Sequence, residues 1–428
     1  PYPLNPILRI MNPSSASTPS TSPDKNRRTF LKTMLVAGTA PLVLPSRGAA
    51  AESPKHKIKI GLIGCGGRGT WIAKLFVEHG GYEIVAAADY FQDRLDAFSA
   101  ELGVPADKCY AGLSGYRKLI DDGAVDAVVI KSPPYFHPAQ AEYAVKAGKH
   151  VYLAKPVAVD VPGSLSIEAS GEMATAKGLT YLVDFQTRAN EIFVEAVQRV
   201  HDGALGKLSF GESTYHANDP FSNAAEVLGP DPSDPERRLR IWGVDRALSG
   251  DIITEQNIHT LDVMSWIMNK PPVKAMGSSN QTVRPWGNCQ DHFSVIYDYG
   301  EGVDVSFTSR QFAAHGTKPD GIRNRMFGEN GVLETEYSGR VLLRGGTENF
   351  YKGGHTRGLY GSGAVNNIAT FHEAVMNGDA ANPTVAPSVR SNLVTVLGRE
   401  AAYTGETVTW DELLRSNKAL EHDLELKA

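Results

Sequence analysis

Ile58-Lys59-Ile60-Gly61-Leu62-Ile63-Gly64-Cys65-Gly66-Gly67-Arg68-Gly69-Thr70 changes from apolar to glycine-rich within thirteen residues. A short apolar run reads as a buried parallel strand, breaks into glycines, and opens a helical pattern at Trp71-Ile72-Ala73-Lys74-Leu75-Phe76. Gly64, Gly66 and Gly69 satisfy G-x-G-x-x-G between that strand and that helix. Gly64 would make the tight turn, Gly66 would let backbone approach a pyrophosphate, and Gly69 would let helix and strand pack closely. The phosphates would rest on free N–H groups at the helix N-terminus, with Gly67 in the same loop and Arg68 in reach of them. Alone, the motif is also compatible with an ordinary glycine-rich loop. The strand before it, the helix after it and an acidic residue downstream favour a dinucleotide.

That acidic residue closes the next strand. The helix ends near Gly80-Gly81, and Glu83-Ile84-Val85-Ala86-Ala87-Ala88 runs into Asp89, 25 residues after Gly64. A carboxylate there accepts hydrogen bonds from the adenosine ribose hydroxyls and repels a 2′-phosphate. Tyr90-Phe91 supplies no arginine to hold such a phosphate, so NAD is expected rather than NADP. The plainer role for Asp89 is a helix cap or turn.

The strand–helix alternation continues. Val125–Ile130 is a third strand, followed by the loop Lys131-Ser132-Pro133-Pro134-Tyr135-Phe136-His137-Pro138. A helix over Ala139–Ala147, strand His150–Leu153, a helix over about 163–177 and strand Leu179–Phe185 complete a doubly wound parallel sheet. Ligand is expected beyond the carboxyl ends of its strands. From Lys207 the texture changes. Lys207–Glu212, Phe293–Tyr299 and Val303–Phe307 alternate apolar and polar residues, as half-buried antiparallel strands do. Tyr299-Gly300-Glu301-Gly302 reads as a hairpin turn. Val332–Tyr337 and Arg340–Leu343 read as a second hairpin around Ser338-Gly339. The second domain is therefore expected to be an open, largely antiparallel sheet with one face for helices and one for a partner copy. Late helices at about 366–377 and 389–403 would return to cover the first domain. The expected division is 1–54 leader, 55–185 NAD-binding domain and 186–428 substrate-binding and oligomerisation domain.

Composition narrows the function. The chain has 428 residues, 42% hydrophobic residues and a formal net charge of −5. No block of Lys and Arg with interleaved aromatics marks a nucleic-acid partner. The three cysteines are far apart and the histidines do not fall at metal-ligand spacings, so no disulfide framework or metal site is expected. Asn26-Arg27-Arg28-Thr29-Phe30-Leu31-Lys32, the apolar Met34–Leu44 and Ala49-Ala50-Ala51 follow the pattern of a secretory signal too short to span a membrane. The paired arginines resemble a twin-arginine signal, which implies export to the periplasm in folded form. A fortuitous basic–apolar stretch or a retained anchor is the alternative.

Two constellations carry chemistry. Lys155 sits at a strand end in the predicted crevice, where an amine donates to a substrate hydroxyl or relays its proton; a solvated strand-end lysine is equally compatible with the sequence. In Gly250–Trp266, Glu255, His259 and Asp262 share one face of an expected helix. His259 is then a candidate general base with Glu255 beside it, unless the group is only a capping and salt-bridge cluster. Gln186, Arg188 and Tyr215 offer polar and aromatic groups suited to a carbohydrate.

The 61–69 loop, the Ser-Pro-Pro-Tyr-Phe-His-Pro loop, Lys155-Pro156, the Glu-x-x-x-His-x-x-Asp run and Leu397–Tyr403, in this order, resemble the Gfo/Idh/MocA oxidoreductases. The resemblance covers about residues 57–415. It implies a Rossmann domain, then an α/β domain whose open sheet forms dimers or tetramers. It also implies hydride transfer between nicotinamide and a sugar or cyclitol carbon. It makes Lys155 a substrate, cofactor and proton-relay residue and His259 the general base. Glu255 stands where the family usually has Asp. Ser132, Pro134 and His137 fall on the loop lining the nicotinamide side. Ala154 departs from the family, which usually has Glu there. The resemblance extends to NAD-containing glycosidases, which oxidise and re-reduce a sugar around retained NAD. That redox-neutral activity is the alternative function, and a non-catalytic sensor a third.

Overall fold

The computed structural model describes residues 57–312 and 321–426; the proposed export signal lies outside them. Six strands, β1 (Ile58–Ile63), β2 (Tyr82–Asp89), β3 (Cys109–Ala111), β4 (Ala127–Ile130), β5 (His150–Ala154) and β6 (Tyr181–Asp184), form one sheet. Its order is β3-β2-β1-β4-β5-β6, and every pairing is parallel. Parallel strands with helices on both faces have two buried sides, so they read as continuous apolar runs. β4 shows this. Ala127 and Val129 enter one core and Val128 and Ile130 the other. The strand order reverses between β1 and β4, and a crevice opens at such a switch point.

The two late helices begin earlier than the periodicity predicts. Leu359–Asn377 places Ile368 and Phe371 in the same core as Ala127 and Val129. Val385–Thr404 instead contributes Val389, Leu393 and Leu397 to the opposite core, which continues into the second sheet. One apolar body thus joins the two sheets.

The second sheet has nine strands: β7 (Leu208–Ala217), β8 (Lys274–Asn280), β9 (His292–Asp298), β10 (Asp304–Gln311), β11 (Ile322–Gly328), β12 (Gly331–Glu336), β13 (Arg340–Gly345), β14 (Tyr351–His355) and β15 (Val408–Thr409). Their order is β14-β13-β12-β11-β7-β10-β9-β8-β15. The sheet is antiparallel except for β7 beside β10. Phe293, Val295, Tyr297, Val305 and Phe307 point inward, toward the long helices. Gly398 permits that contact, since a Cβ there would lie 2.0 Å from the Tyr297 hydroxyl. On the other face Phe210, Met276 and Ile296 are exposed, and Phe210 stacks on Phe327.

One predicted helix is broken. Instead of a single helix through 255–262 there is a short turn, Ile252–Glu255, and then a helix, Ile258–Met268. The His259 N–H bonds to the Gln256 carbonyl rather than to that of Glu255. The Glu255 carbonyl is thereby left to accept from the Lys155 ammonium at 2.7 Å. The tertiary contact offsets the lost helical bond.

Candidate active site

The glycine loop has the geometry its sequence implies. Gly64 has φ +97°, and a Cβ there would lie 2.6 Å from the Lys131–Ser132 peptide. A Cβ on Gly69 would lie 1.8 Å from the Gly64 carbonyl oxygen. Gly67 faces open space. The helix Gly67–His79 begins there with no side-chain cap, so its first N–H groups are free for an anion. At the end of β2 the two Asp89 carboxylate oxygens accept from the Cys65 N–H (2.8 Å) and the Phe91 N–H (3.0 Å). Both bonds orient the carboxylate at the edge of a cleft of about 440 Å³. Gly64, Gly66, Gly67, Arg68, Gly69, Asp89 and Ser132 all line that cleft. An unfilled cradle at Gly67, a free helix terminus and an oriented carboxylate fit NAD.

The 131–138 loop is placed differently from the expectation. Pro133 and Phe136 line the cleft, whereas Pro134 and His137 are buried behind it. The His137 ring lies between two backbone carbonyls, of Pro156 (2.9 Å) and Ser132 (2.8 Å). Burial pushes its pKa down to about 4 despite those two acceptors. His137 ties the loop to the Lys155–Pro156 turn and does not face a cofactor.

Arg68 lines the cleft, but its guanidinium is already engaged within the protein. Its guanidinium lies 4.3 Å from the ring centres of both Trp71 and Tyr360 and reaches Asp184 at 3.4 Å. Asp184 is a buried hub at the end of β6. It accepts from Lys131 (2.9 Å), Asn367 (3.0 Å) and Gln186 (3.2 Å). Burial raises its pKa, but Lys131 and Arg68 outweigh that and hold the carboxyl below its usual range. Burial in turn pulls Lys131 down to about 8. The sequence reading missed this hub. Its only signal was a charged residue ending an apolar strand.

Beyond the hub the predicted catalytic residues converge. Lys155 Nζ donates to the Glu255 carbonyl and lies 3.3 Å from Glu255 Oε1. Glu255 Oε2 accepts from Gln256, whose Oε1 accepts from the Tyr215 hydroxyl at 3.0 Å. His259 is 6% exposed, and its ring nitrogens have no hydrogen-bond partner among the described residues. Its ring packs against Tyr337 with centroids 4.6 Å apart. Burial first, then the charges of Lys155 and Arg68, hold its pKa well below the usual 6.5. The imidazole is neutral and has a lone pair to offer. Tyr337 donates to Gln186 Oε1 at 3.3 Å, so Gln186 links the base to the Asp184 hub. Arg188 is engaged bidentately by buried Asp262 at 2.8–3.0 Å, which leaves its fork occupied. Asp262 therefore serves Arg188 and not His259. Among the described residues no group of three His, Cys, Asp or Glu is placed to hold a metal ion, and no helix is long and apolar enough to cross a membrane.

Comparison with known proteins identifies the family and the fold. The chain is 29% identical over 211 residues to a glycosyl hydrolase family 109 protein of Shewanella pealeana, covering 44% of this chain and 46% of that one. It spans 46%, 30% and 46% of three such family 109 relatives. An inositol 2-dehydrogenase of Rhizobium meliloti is 23% identical over 81% of this chain and 96% of its own. The crystal structure of myo-inositol 2-dehydrogenase from Lactobacillus plantarum superposes with a TM-score of 0.64 at 22% identity, over 82% of this chain and 99% of that one, and shares the fold. Residues 58–185 match the model of an oxidoreductase family with NAD-binding Rossmann fold, and residues 193–334 match the GFO/IDH/MocA C-terminal domain. With both of its characteristic domains present in order, the chain belongs to the Gfo/Idh/MocA oxidoreductase family, and its N-terminal domain is an NAD-binding Rossmann domain.

Proposed function

We propose that this chain is an NAD-dependent oxidoreductase acting on a hydroxyl of a sugar, sugar derivative or cyclitol. The observation that carries the proposal is His259: buried, neutral, with no hydrogen-bond partner on its ring among the described residues, and beside the Lys155–Glu255 pair. NAD, when bound, supplies the hydride acceptor. Gly64, Gly66, Gly67, Gly69 and Asp89 would hold it. His259 takes the proton of the substrate hydroxyl. Lys155, fixed by the Glu255 carbonyl and carboxylate, orients that hydroxyl. Tyr215, Tyr337 and Tyr360 give the polar-tipped aromatic surroundings that a polyol fits. Replacing His259 by Ala should lower kcat by about a hundredfold to ten-thousandfold, as loss of a general base does, while NAD still binds. Unchanged turnover in that variant would refute the assignment.

Similarity to family 109 glycosyl hydrolases favours a second reading, redox-neutral cleavage of a glycoside through a keto-sugar intermediate. It predicts aglycone release without added NAD and solvent deuterium entering beside the oxidised carbon. Two further proposals concern the whole protein. The 26–51 segment directs export to the periplasm by a twin-arginine-type signal. The face of the second sheet carrying Phe210, Met276 and Ile296 pairs copies of the chain into dimers or tetramers.

A further inference from the structure

The connection between β7 and β8 is much longer than a link within a sheet needs. Its middle crosses onto the nucleotide-binding domain. Leu239, Arg240 and Trp242 line the cleft together with Asp89 and Phe91. Arg240 makes a bidentate pair with Asp93 at 2.8 and 3.0 Å. Its guanidinium lies 3.9 Å from the Phe91 ring centre, and its carbonyl accepts from Arg94 at 3.3 Å. A second layer comes from the chain's last described residues. Asp423 pairs with Arg238 at 2.8 Å, and Leu424 is buried with Phe91, Leu239 and Leu248 in a cluster separate from both cores. The His422 ring lies 4.6 Å from that of Tyr135, on the loop after β4.

We propose that residues 235–244 are a cofactor latch. The second domain contributes the wall of the adenosine half of the NAD site, and two locks, the Asp93–Arg240 pair and the seat of Leu424, join the Tyr90–Glu236 hydrogen bond at 3.3 Å in keeping it shut. Asp89 marks this as the ribose end of the cleft, and the flat or apolar surfaces of Phe91, Leu239 and Trp242 suit an adenine. Both locks are weak. Side-chain exposure is 37% for Arg240 and 64% for Asp93, so salt screens that pair. The apolar lock is a small cluster of four buried residues, with Tyr90, Tyr135, Phe136, Trp242 and Leu426 packed half-buried at its rim. Elements held this lightly open locally without global unfolding. Release of the dinucleotide therefore waits on latch opening.

The proposal rests on the nucleotide reading of the cleft and not on the choice of substrate. Its test is NADH release from the full chain, followed by nicotinamide fluorescence after mixing with excess NAD. Neither Asp93 nor Leu424 lines the cleft. Asp93→Asn should speed release by about two- to fivefold, as loss of an exposed ion pair does, and Leu424→Ala by about tenfold, with little change in association rate, because lost locking contacts act on dissociation. Added salt should speed release in the parent and less in Asp93→Asn. Asp93 is exposed, so its variant folds even if Leu424→Ala does not. Release unchanged in Asp93→Asn and insensitive to salt would overturn the latch. A parent protein that binds no NADH would overturn the nucleotide reading itself.

Discussion

His259 concentrates the account at the scale of one residue. It has to be neutral to accept a proton, and burial with Lys155 and Arg68 nearby keeps it so. The sign follows directly. A depressed pKa leaves the base form populated down to pH values below 6.5, so the acid limb of kcat/KM lies below that value. Arg68→Gln removes one of the positive charges that lower this pKa. The limb should then move upward in pH, toward 6.5, in a profile measured with the same substrate; a limb that stays put or moves down would show that Arg68 does not face the base. The residue types at this site were legible in the sequence, since Lys155, Glu255 and His259 are all singled out by position and spacing. Their partnerships were not. Arg188 looked free but is held by Asp262, and His137 looked like a cofactor contact but is held between two carbonyls. Pairing across 74 residues, as for Arg188 and Asp262, leaves no periodic trace.

At the scale of elements the glycine loop was the most legible part, because its requirements are steric and local. Gly64 must adopt φ +97°, and Gly69 leaves no room for a Cβ. Gly69→Ala should cost about 1–3 kcal/mol or more from overpacking, read as a lowered denaturation midpoint, and should weaken NAD binding by shifting the helix from the turn. A variant with parent stability and affinity would contradict the close approach. The break between Ile252–Glu255 and Ile258–Met268 was illegible for the opposite reason. Helical periodicity runs through it, and what takes the Glu255 carbonyl is a lysine in the turn after a distant strand. β8, β11 and β14 were also missed. β8 and β14 contain glycines, and β11 carries two arginines among its seven residues, which blurs the two-residue alternation.

At the scale of the molecule, two sheets share one apolar body, and the Asp184 hub, Gln186 and Tyr337 connect the cofactor cleft to the base on the second domain. The fold class was legible because parallel and antiparallel sheets write different textures, continuous in the first and alternating in the second. The exposed apolar face of the second sheet has a direct consequence. On the proposed pairing, Ile296→Glu should lower the mass seen in light scattering to that of a monomer with little change in the thermal midpoint of the isolated chain, since that side chain is exposed; an unchanged mass would remove that face as the interface. In the proposed reaction His259 takes a proton while the substrate carbon gives hydride to nicotinamide. A single-turnover experiment tests it most directly. The enzyme, loaded with NAD and in excess, is mixed with a panel of sugars, glycosides and cyclitols while the reduced-nicotinamide absorbance is followed in a stopped-flow instrument. Reduction is expected with at least one substrate, transient if the cycle is redox-neutral, and its loss is expected in His259→Ala that still binds NAD. Reduction of equal rate and size in His259→Ala, or none in the parent across the whole panel, would contradict it.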